Sequence, residues 1–428
     1  MGRLFLSERT IEGSHFNQCG RGKSRISREC RFQFVIAVVL IFVEGFYGPV
    51  ATGEPNNVVV PYASTSVLDV DGVRSSESRL CREERVKLEP TLSHAFRGFS
   101  GDAGVAVKRS GCGWTLGGNF NEWFPQQSVT RLWVMLAIFD AVDRGRISLD
   151  DRLNITSDDL GVFNQPLRGA VIERGKASLT ISQALERALI HSDRLAYNKL
   201  LTYVGGAEAV REMLGRKGLS GIRFSPSERQ QQSRATGLKW RSQFALGSNF
   251  IQAKAGPPLK AQQDALDRYL INPADGATPS SIAAALVKLG QGRLLSRAST
   301  KHMLQLLGGG HSGLQRLKAC TPSDWTVYYK MGTGQISGKN AIGYNDVVLI
   351  MSPGGNLYSA VVMIAKTSEP IVARTRMMET VTRAIVGAHL PMVNAKSLRN
   401  KPHGTGLYEA GEPAQLARRA AQTKRGSE

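Results

Sequence analysis

Ser128 opens a stretch, residues 124–145, that reads FPQQSVTRLWVMLAIFDAVDRG and predicts a buried helix behind a serine. A serine at the start of a helix is a suitable nucleophile, because the backbone N–H groups and the helix dipole face the negative charge that develops during attack. Three residues later comes Arg131. Since a guanidinium does not give up its proton at any pH at which a protein survives, Arg131 is excluded as the base that activates Ser128.

Two further motifs carry groups that acyl transfer requires. Residues 192–194 (SDR) interrupt a helical pattern, and residues 330–334 (KMGTG) lie in a strand pattern. Acyl transfer needs a nucleophile, a base, donors for the oxyanion and an acid for the leaving nitrogen. Taken singly, Ser128 and Ser192 are equally explained as helix caps, and Lys330 as a charge on a strand edge. The order of the three motifs is what favours a joint site.

The three motifs follow one another as the S-x-x-K, S-D-N and K-T-G triplets of class A β-lactamases and penicillin-binding proteins do. The chain resembles this family of serine hydrolases from about residue 82 to 389, including the helix after Ser128 and the YVGG that follows the second motif. The resemblance implies an α+β fold, in which an antiparallel sheet formed by both chain ends packs against a helical subdomain. It implies an active site at their junction and opening of a β-lactam amide through an acyl-enzyme on Ser128.

The resemblance also assigns roles to matching residues. Ser192 relays the proton to the leaving nitrogen, while Lys330 polarises its hydroxyl and attracts a substrate carboxylate. The backbone N–H of Thr333 is the second oxyanion donor beside that of Ser128. The matched substrate-binding positions are Arg194, Asn198, Gly332, Thr333 and Gly334, and Asn198 corresponds to an asparagine that steadies a neighbouring loop.

Three residues depart from the family pattern, and all of them fall in the expected site. Arg131 stands where the family has lysine, Arg194 where it has asparagine and Met331 where it has threonine. Together with Lys330, the two arginines predict a strongly positive cleft that favours anionic ligands. The sequence leaves open whether a site with these changes still turns over.

A base is expected on the loop after the second motif, where class A enzymes carry a glutamate. The segment IRFSPSERQQQ puts Ser225 at that position if Pro226 matches the family's loop proline, and Glu228 if the separation from Ser192 decides. Glu228 is favoured, because it is the carboxylate of that loop that could hold a water or accept a proton. A solvated surface loop is the simpler explanation of the same segment.

Two other functions fit the same residues. The first is a binding protein or sensor of β-lactams or peptidoglycan fragments that no longer turns over. The second is a cell-wall D,D-peptidase or esterase that uses the same serine. Steady hydrolysis of a chromogenic cephalosporin distinguishes the β-lactamase from the binding protein, and a slowly released acyl adduct indicates the peptidase.

The predicted elements explain how such a site could be assembled. Residues 82–96 predict an amphipathic helix and residues 103–118 a hairpin. After a long helical middle, residues 325–365 predict three strands and residues 369–387 a final helix. Chain ends that supply one antiparallel sheet around a helical insert make an α+β fold. Within the helical middle, the proline-containing residues 237–277 predict an insertion.

The sequences of the two termini predict a leader that is removed by cleavage and a disordered tail. Residues 1–53 are typical of a leader with a secretory signal peptide, because the apolar run 32–43 follows basic residues and precedes small ones. The run is too short to span a bilayer comfortably, so we expect a periplasmic or secreted protein with no stable membrane span after cleavage; a membrane anchor is the alternative. Residues 54–81 predict a linker, 82–392 the hydrolase domain and 393–428 a basic, disordered tail.

The composition of the chain limits the classes of molecule that it is expected to bind. The 428 residues carry a formal net charge of +20, but the charge is spread along the chain, so we expect a small-molecule substrate and no nucleic acid. No Cys or His spacing indicates a metal site, and no cofactor is expected. Two of the five cysteines leave with the signal, and Cys81, Cys112 and Cys320 remain. They allow one disulfide, whose pair the spacing cannot choose.

Overall fold

The protein is described by a computed structural model that covers residues 77–162, 165–225, 228–309 and 316–389. The predicted leader, residues 54–76 of the predicted linker and the predicted tail lie outside these residues.

The described residues form helices and strands in a mixed order. The helices are α1 (Arg79–Arg97), α2 (Arg131–Asp143), α3 (Arg168–Arg174), α4 (Ile181–Leu189), α5 (Arg194–Tyr203), α6 (Gly206–Arg216), α7 (Glu228–Arg234), α8 (Asn249–Ala255), α9 (Leu259–Ile271), α10 (Pro279–Gly290), α11 (Arg297–Gly308) and α12 (Ile371–His389). The strands are β1 (Asp102–Arg109), β2 (Thr115–Gly118), β3 (Phe124–Pro125), β4 (Arg152–Ile155), β5 (Ala177–Thr180), β6 (Gly276–Ala277), β7 (Thr326–Thr333), β8 (Ile336–Ser337), β9 (Asn340–Met351) and β10 (Leu357–Thr367).

The main sheet combines both ends of the described chain. Its strand order is β2-β1-β10-β9-β7, with β8 paired to β9, and every pairing is antiparallel. β1 and β2 come from the N-terminal part, whereas β7 to β10 come from the C-terminal part. The predicted α+β fold is therefore confirmed. Two short strand pairs, β3 with β6 and β4 with β5, lie outside this sheet.

Two hydrophobic cores cover the two faces of the sheet. Val347 and Val361 belong to the core shared with α2, α4 and α10, whereas Val348 and Val362 belong to the core shared with α1 and α12. This alternation follows from the strand period of two, which sends successive side chains to opposite faces. The strand β7, which contains the predicted site residue Lys330, lies at one edge of the sheet.

α2 is the central helix of the helical part. Residues 131–141 are all buried, as expected of a helix that is apolar on every side. Of its charged residues, Asp140 is neutralised by Arg216 at 2.8 Å and Lys217 at 2.6 Å. A rigid, buried helix therefore extends from the residues that follow Ser128.

The helix α1 begins earlier than the sequence predicted. Its N-cap is Ser78, whose hydroxyl accepts a hydrogen bond from the N–H of Cys81, so residues 79–81 belong to the helix and not to the linker. Cys81 and Cys112 form a disulfide that ties α1 to the turn between β1 and β2. The structure thereby identifies which two cysteines form the disulfide, which their spacing in the sequence could not do.

The predicted insertion contains α8 and α9. Lys254 on α8 donates to the side chain of Gln335, which follows β7, so this segment contacts the edge of the main sheet. Among the described residues, no helix has both the length and the apolar character that crossing a membrane requires.

Candidate active site

Ser128 lies in a short 3₁₀ turn, Gln127–Thr130, that leads directly into α2. Its side chain is half-buried. The N-cap position of α2 is Thr130, which makes no side-chain capping bond. Ser128 therefore does not cap α2, and the simple capping explanation of this serine is wrong.

The Ser128 turn is held by buried polar side chains that come from distant parts of the chain. Gln126 is fully buried and donates to the carbonyls of Arg223 at 2.9 Å and Asp275 at 2.6 Å. Asn345 of β9 donates to the carbonyls of Pro125 at 2.7 Å and Gln126 at 3.1 Å. Buried amides with every contact satisfied fix a local conformation. The position of Ser128 is thus set by the tertiary structure.

Gln127, the residue before Ser128, has a strained backbone. Its φ is +54°, in the left-handed region that non-glycine residues rarely occupy. Its N–H donates to a carboxylate oxygen of Asp275 at 3.0 Å, and Asp275 is fully buried. Such strain persists only where the surroundings impose it, and it concentrates at functional sites.

The strand β7 approaches the Ser128 turn closely. A Cβ at Gly332 would lie 2.5 Å from the carbonyl oxygen of Gln126, and a Cβ at Gly334 would collide with the carbonyl of Ile342. A side chain at either position would collide with these backbone oxygens, so both positions require glycine. Lys330 on the same strand is 6% exposed. Lys330 is a buried cation, and the prediction of an exposed edge charge is wrong.

The N–H of Thr333 points to the open edge of β7. The next residue, Gly334, donates its N–H to Gly343 at 2.8 Å, and in an antiparallel ladder the residue beside a bonded one directs its N–H away from the partner strand. The side chain of Thr333 is exposed. The backbone N–H of Thr333 is therefore available as a hydrogen-bond donor at this edge, as the predicted oxyanion donor must be.

Arg131 extends from the first turn of α2 into the space between α4 and α5. Its guanidinium donates to the carbonyl of Ala188 at 2.9 Å and lies 5.2 Å from the centre of the Tyr197 ring. The side chain is only 1% exposed. Arg131 therefore joins the Ser128 helix to the segment that carries the second motif. A soluble anion has almost no access to it, so Arg131 is not part of an anion-binding cleft; anion binding by Arg194 and Lys330 stays a prediction.

The second motif forms the elbow between α4 and α5. Ser192 is half-buried and has a φ of +52°. Asp193 is fully buried and caps α5 by accepting from the N–H groups of Leu195 at 3.0 Å and Ala196 at 3.4 Å, while Arg187 pairs with it at 3.1 Å. Asp193 is thus the capping residue that fixes the backbone beside Ser192.

The remaining candidates occupy α5 and the loop after it. Arg194 is half-buried at the start of α5, and Asn198 is buried one turn later. The amide of Asn198 and the side chain of Arg229 both lie beside Gly161, where a Cβ would be 3.5 Å and 3.4 Å from them respectively. Asn198 thus lies close to the α7 segment, and its predicted role in steadying that loop stays a prediction.

The two candidates for the base differ in what is described of them. Ser225 is 9% exposed. Residues 226–227 and the side chain of Glu228 lie outside the description, although the backbone of Glu228 begins α7. Met331, the third departure from the family pattern, is half-buried and pairs with Asp346 across β7 and β9.

Sequence reasoning missed a charged group beside Thr333. Arg316 is 3% exposed and donates to the hydroxyl of Thr333 at 3.0 Å, with its guanidinium 3.6 Å from the centre of the Tyr344 ring. Burial raises the pKa of Asp346 to about 6, even though Arg316 and Lys330 oppose that shift. An arginine ten or so residues before a strand carries no recognisable motif, so only the folded chain identifies Arg316.

Among the described residues, no group of three or more His, Cys, Asp or Glu side chains is arranged to hold a metal ion.

Comparison with known proteins supplies the family. The model of the family described as "Beta-lactamase enzyme family" matches residues 87–388. Beta-lactamase VEB-1 of Pseudomonas aeruginosa is 25% identical over 283 residues, which are 65% of this chain and 82% of that protein. The extended-spectrum beta-lactamase PER-1 of the same organism is 22% identical over 264 residues, 59% of this chain and 73% of that protein.

Solved structures agree. An ancestral class A beta-lactamase is 26% identical, with a TM-score of 0.55, and the match covers 70% of this chain and 99% of that one. A beta-lactamase from Chitinophaga pinensis is 23% identical, has a TM-score of 0.56 and shares the fold over 71% of this chain and 98% of its own. With the family match spanning both the sheet and the helical part, this chain belongs to the beta-lactamase enzyme family.

Proposed function

We propose that the protein is an exported serine hydrolase that opens the amide of a β-lactam through an acyl-enzyme on Ser128. The main observation that supports this proposal is the close packing of the Ser128 turn against β7. A serine that only began a helix would require neither the bare Cβ position of Gly332 nor the strained backbone of Gln127. Export is supported by the apolar run and basic flank in the first 53 residues.

Two backbone N–H groups stabilise the oxyanion in this proposal. That of Ser128 belongs to the turn at the start of α2, and that of Thr333 faces outward from β7. Lys330 and Arg316 add positive charge on the strand side. Preorganised donors and cations of this kind are commonly the largest contribution to lowering the barrier of acyl transfer. The same two cations attract the carboxylate of a substrate.

The chemistry proceeds in two balanced steps. The hydroxyl oxygen of Ser128 bonds to the carbonyl carbon, and its proton passes to a base. As the C–N bond breaks, Ser192 gives its proton to the nitrogen and regains one from the protonated base. Water then gives a proton to the base and adds to the acyl carbon, and the ester bond breaks as the oxygen of Ser128 takes that proton, which releases the opened product. Both steps need a base that Arg131 cannot be, because its guanidinium stays protonated.

Glu228 is the proposed base. Glu228 and Gln232 both belong to α7. The amide of Gln232 donates to the side chain of Gln127 at 3.4 Å, next to Ser128. The helix that begins at Glu228 therefore contacts the residue beside the nucleophile, and Glu228, unlike Ser225, has a carboxylate that can accept a proton.

The burial of Arg131 favours a second candidate function, a binding protein that is acylated slowly or not at all. A permanently charged arginine, held by Ala188 and Tyr197, orients the helix but cannot shuttle a proton. Such a protein retains the positive strand and the oxyanion donors. It therefore binds β-lactams or peptidoglycan fragments without turning them over.

Intact-protein mass after exposure to benzylpenicillin tests the proposal. We expect the wild type to gain the mass of one penicillin and Ser128→Ala to gain none. Ser178→Ala, a change at an exposed serine on β5, is the matched control and keeps the adduct. An adduct on Ser128→Ala would remove Ser128 from the mechanism. No adduct and no opened benzylpenicillin from the wild type, with benzylpenicillin still bound in calorimetry, would establish the binding protein instead.

A further inference from the structure

A second pocket lies beside the candidate site, between β8, α7 and the insertion. It is partly open to solvent. Five glutamines line it, together with Lys254 and Tyr269; the glutamines are Gln127, Gln231, Gln232, Gln262 and Gln335. A small cavity with a few convergent polar groups is the usual form of a ligand site. None of the described residues that line it is acidic.

A directional chain of hydrogen bonds crosses the wall of this pocket. Lys254 donates to Gln335 at 2.5 Å, Gln335 to Gln232 at 2.9 Å, and Gln232 to Gln127 at 3.4 Å. From Gln127 the chain continues through Tyr269, at 3.0 Å, to the buried carboxylate of Asp275. These bonds hold the amide groups in fixed orientations. The positive end of the chain is Lys254.

Lys254 carries a charge that the described residues do not neutralise. It is half-buried, burial lowers its pKa, and the acceptor found for it is the neutral amide of Gln335. No ion pair joins it to a carboxylate within the described parts of the chain. An ammonium group has three N–H donors, so donors remain for a ligand. A half-buried cation without a counter-ion favours an anion in the adjoining space.

We propose that Lys254 is the anion-binding residue of a second subsite, which takes the carboxylate of a small molecule. The carboxylate has two possible sources, the acyl side chain of the substrate or a free carboxylic acid. The first source rests on the proposed function, and the second does not.

The first source is compatible with the geometry of β7. Gln335, the partner of Lys254, follows the oxyanion donor Thr333 by two residues, about 7 Å of extended chain. That span is comparable to the length of an acylamino side chain that carries a carboxylate. A substrate bound at Ser128 and Thr333 can therefore extend such a group to Lys254.

Two penicillins that differ by one carboxylate test the subsite. The acylation rates of benzylpenicillin and α-carboxybenzylpenicillin are measured by intact mass on the wild type, Lys254→Met and Lys254→Arg. We expect the rate ratio, α-carboxy over unsubstituted, to fall about tenfold or more in Lys254→Met, the loss typical of one hydrogen bond to a charged group. Lys254→Arg should recover part of it. Lys260→Met, at an exposed lysine paired with Asp264 on α9, is the matched control and keeps the wild-type ratio.

Calorimetry on Ser128→Ala separates this proposal from the hydrolase itself. Tighter binding of α-carboxybenzylpenicillin than of benzylpenicillin, lost in Ser128→Ala/Lys254→Met, supports the subsite even if no adduct forms in the wild type. Binding of sodium acetate that depends on Lys254, with an unchanged rate ratio, identifies a free carboxylic acid as the source. If neither the ratio nor any binding depends on Lys254, the subsite is overturned whether or not Ser128 is acylated.

Discussion

Two buried groups of charged and aromatic residues lie under α12, at opposite ends of the main sheet. The closed cluster consists of Glu84, Arg109, Tyr358 and His389. In it the hydroxyl of Tyr358 donates to Glu84 at 2.8 Å, and Arg109 approaches Glu84 at 3.3 Å. One carboxylate faces one guanidinium, so the charges balance.

The cleft cluster consists of Arg316, Tyr344, Asp346 and Arg374, at the end of the sheet that contains Thr333. Arg316 and Arg374 flank the ring of Tyr344 at 3.6 Å and 4.5 Å from its centre. Two cations, Arg316 and Lys330, act on one carboxylate, Asp346, whose pKa burial raises to about 6, and Arg374 adds a further guanidinium beside Tyr344.

The difference between the clusters lies in charge balance and access. The disulfide between Cys81 and Cys112 adjoins the closed cluster, since Arg109 contacts the sulfur of Cys112 at 3.5 Å. The cleft cluster instead reaches the exposed Thr333 through Arg316. A balanced, enclosed cluster stabilises the fold, whereas an unbalanced one beside an opening attracts an anion. We therefore expect mutations at the closed cluster to change stability and mutations at the cleft end to change chemistry.

The largest effect is expected at the cleft end, from Arg131→Lys. A lysine at this position can accept and pass on a proton, so acylation of Ser128 by benzylpenicillin should rise by about 10²–10⁴-fold, the range of general-base catalysis. Intact mass at timed intervals measures the rate. Arg216→Lys, a change in a partly exposed ion pair with Asp140, is the control and should leave the rate alone. If the Arg131→Lys variant folds and acylates at the wild-type rate, the residue at position 131 does not take part in proton transfer from Ser128.

The clusters themselves are compared by removing one arginine from each. Arg109→Met leaves Glu84 buried without its guanidinium and should cost about 3–5 kcal/mol of unfolding free energy, with acylation of the remaining folded protein unchanged. Arg316→Met relieves the excess positive charge, so it should cost less stability but raise the KM for β-lactams. Urea unfolding and steady-state kinetics on both variants measure this. If Arg109→Met and Arg316→Met lost the same stability and had the same kinetics, the two clusters would not differ in the way proposed.

The disulfide at the closed end is expected to act on stability alone. The double variant Cys81→Ser/Cys112→Ser releases a crosslink between residues 31 apart in sequence and should lower the unfolding free energy by about 2–4 kcal/mol. Thermal melts of the variant and of the oxidised and reduced wild type measure the loss. A change in the rate of acylation at temperatures where the variant is folded would contradict the separation of the two ends.

The smallest effect is a pH dependence at the cleft cluster. The pKa of Asp346 is about 6 in the folded protein and about 3.9 in an unfolded chain. Between these values the folded state holds a proton that the unfolded state has lost, so this group lowers stability as the pH rises from about 4 to about 6. Asp346→Asn should remove a loss of about 2 kcal/mol over this range. Melting temperatures of both proteins at pH 4.5 and 7 give the difference, and parallel curves would refute it.

Most elements of the fold could be predicted from short sequence patterns. The hairpin near the N-terminus, the three long C-terminal strands and the final helix were predicted because alternation and helical spacing are visible within a few residues. The short pairs β3 with β6 and β4 with β5 were not predicted. A two-residue strand such as β3 has no pattern of its own and exists because β6, from a distant part of the chain, lies beside it.

The candidate site divides in the same way. The sequence pointed to Ser128, Ser192 and Lys330 because their motifs are local and their order matches a family. Gln126 and Asn345 carry no motif, although they hold the Ser128 turn through bonds to residues 149 and 220 positions away in sequence. Their importance depends on contacts that do not exist until the chain has folded.

By itself, the sequence determined the family, the type of most elements and the three departures at Arg131, Arg194 and Met331, since each of these is a property of residues close together in the chain. Only the tertiary structure decided the disulfide pair, the burial of Arg131 between α4 and α5, and the charge of Arg316 beside Thr333. The physical reason is that burial, pairing and the local electric field arise from groups that the fold brings together from distant positions, and no short stretch of sequence contains both partners.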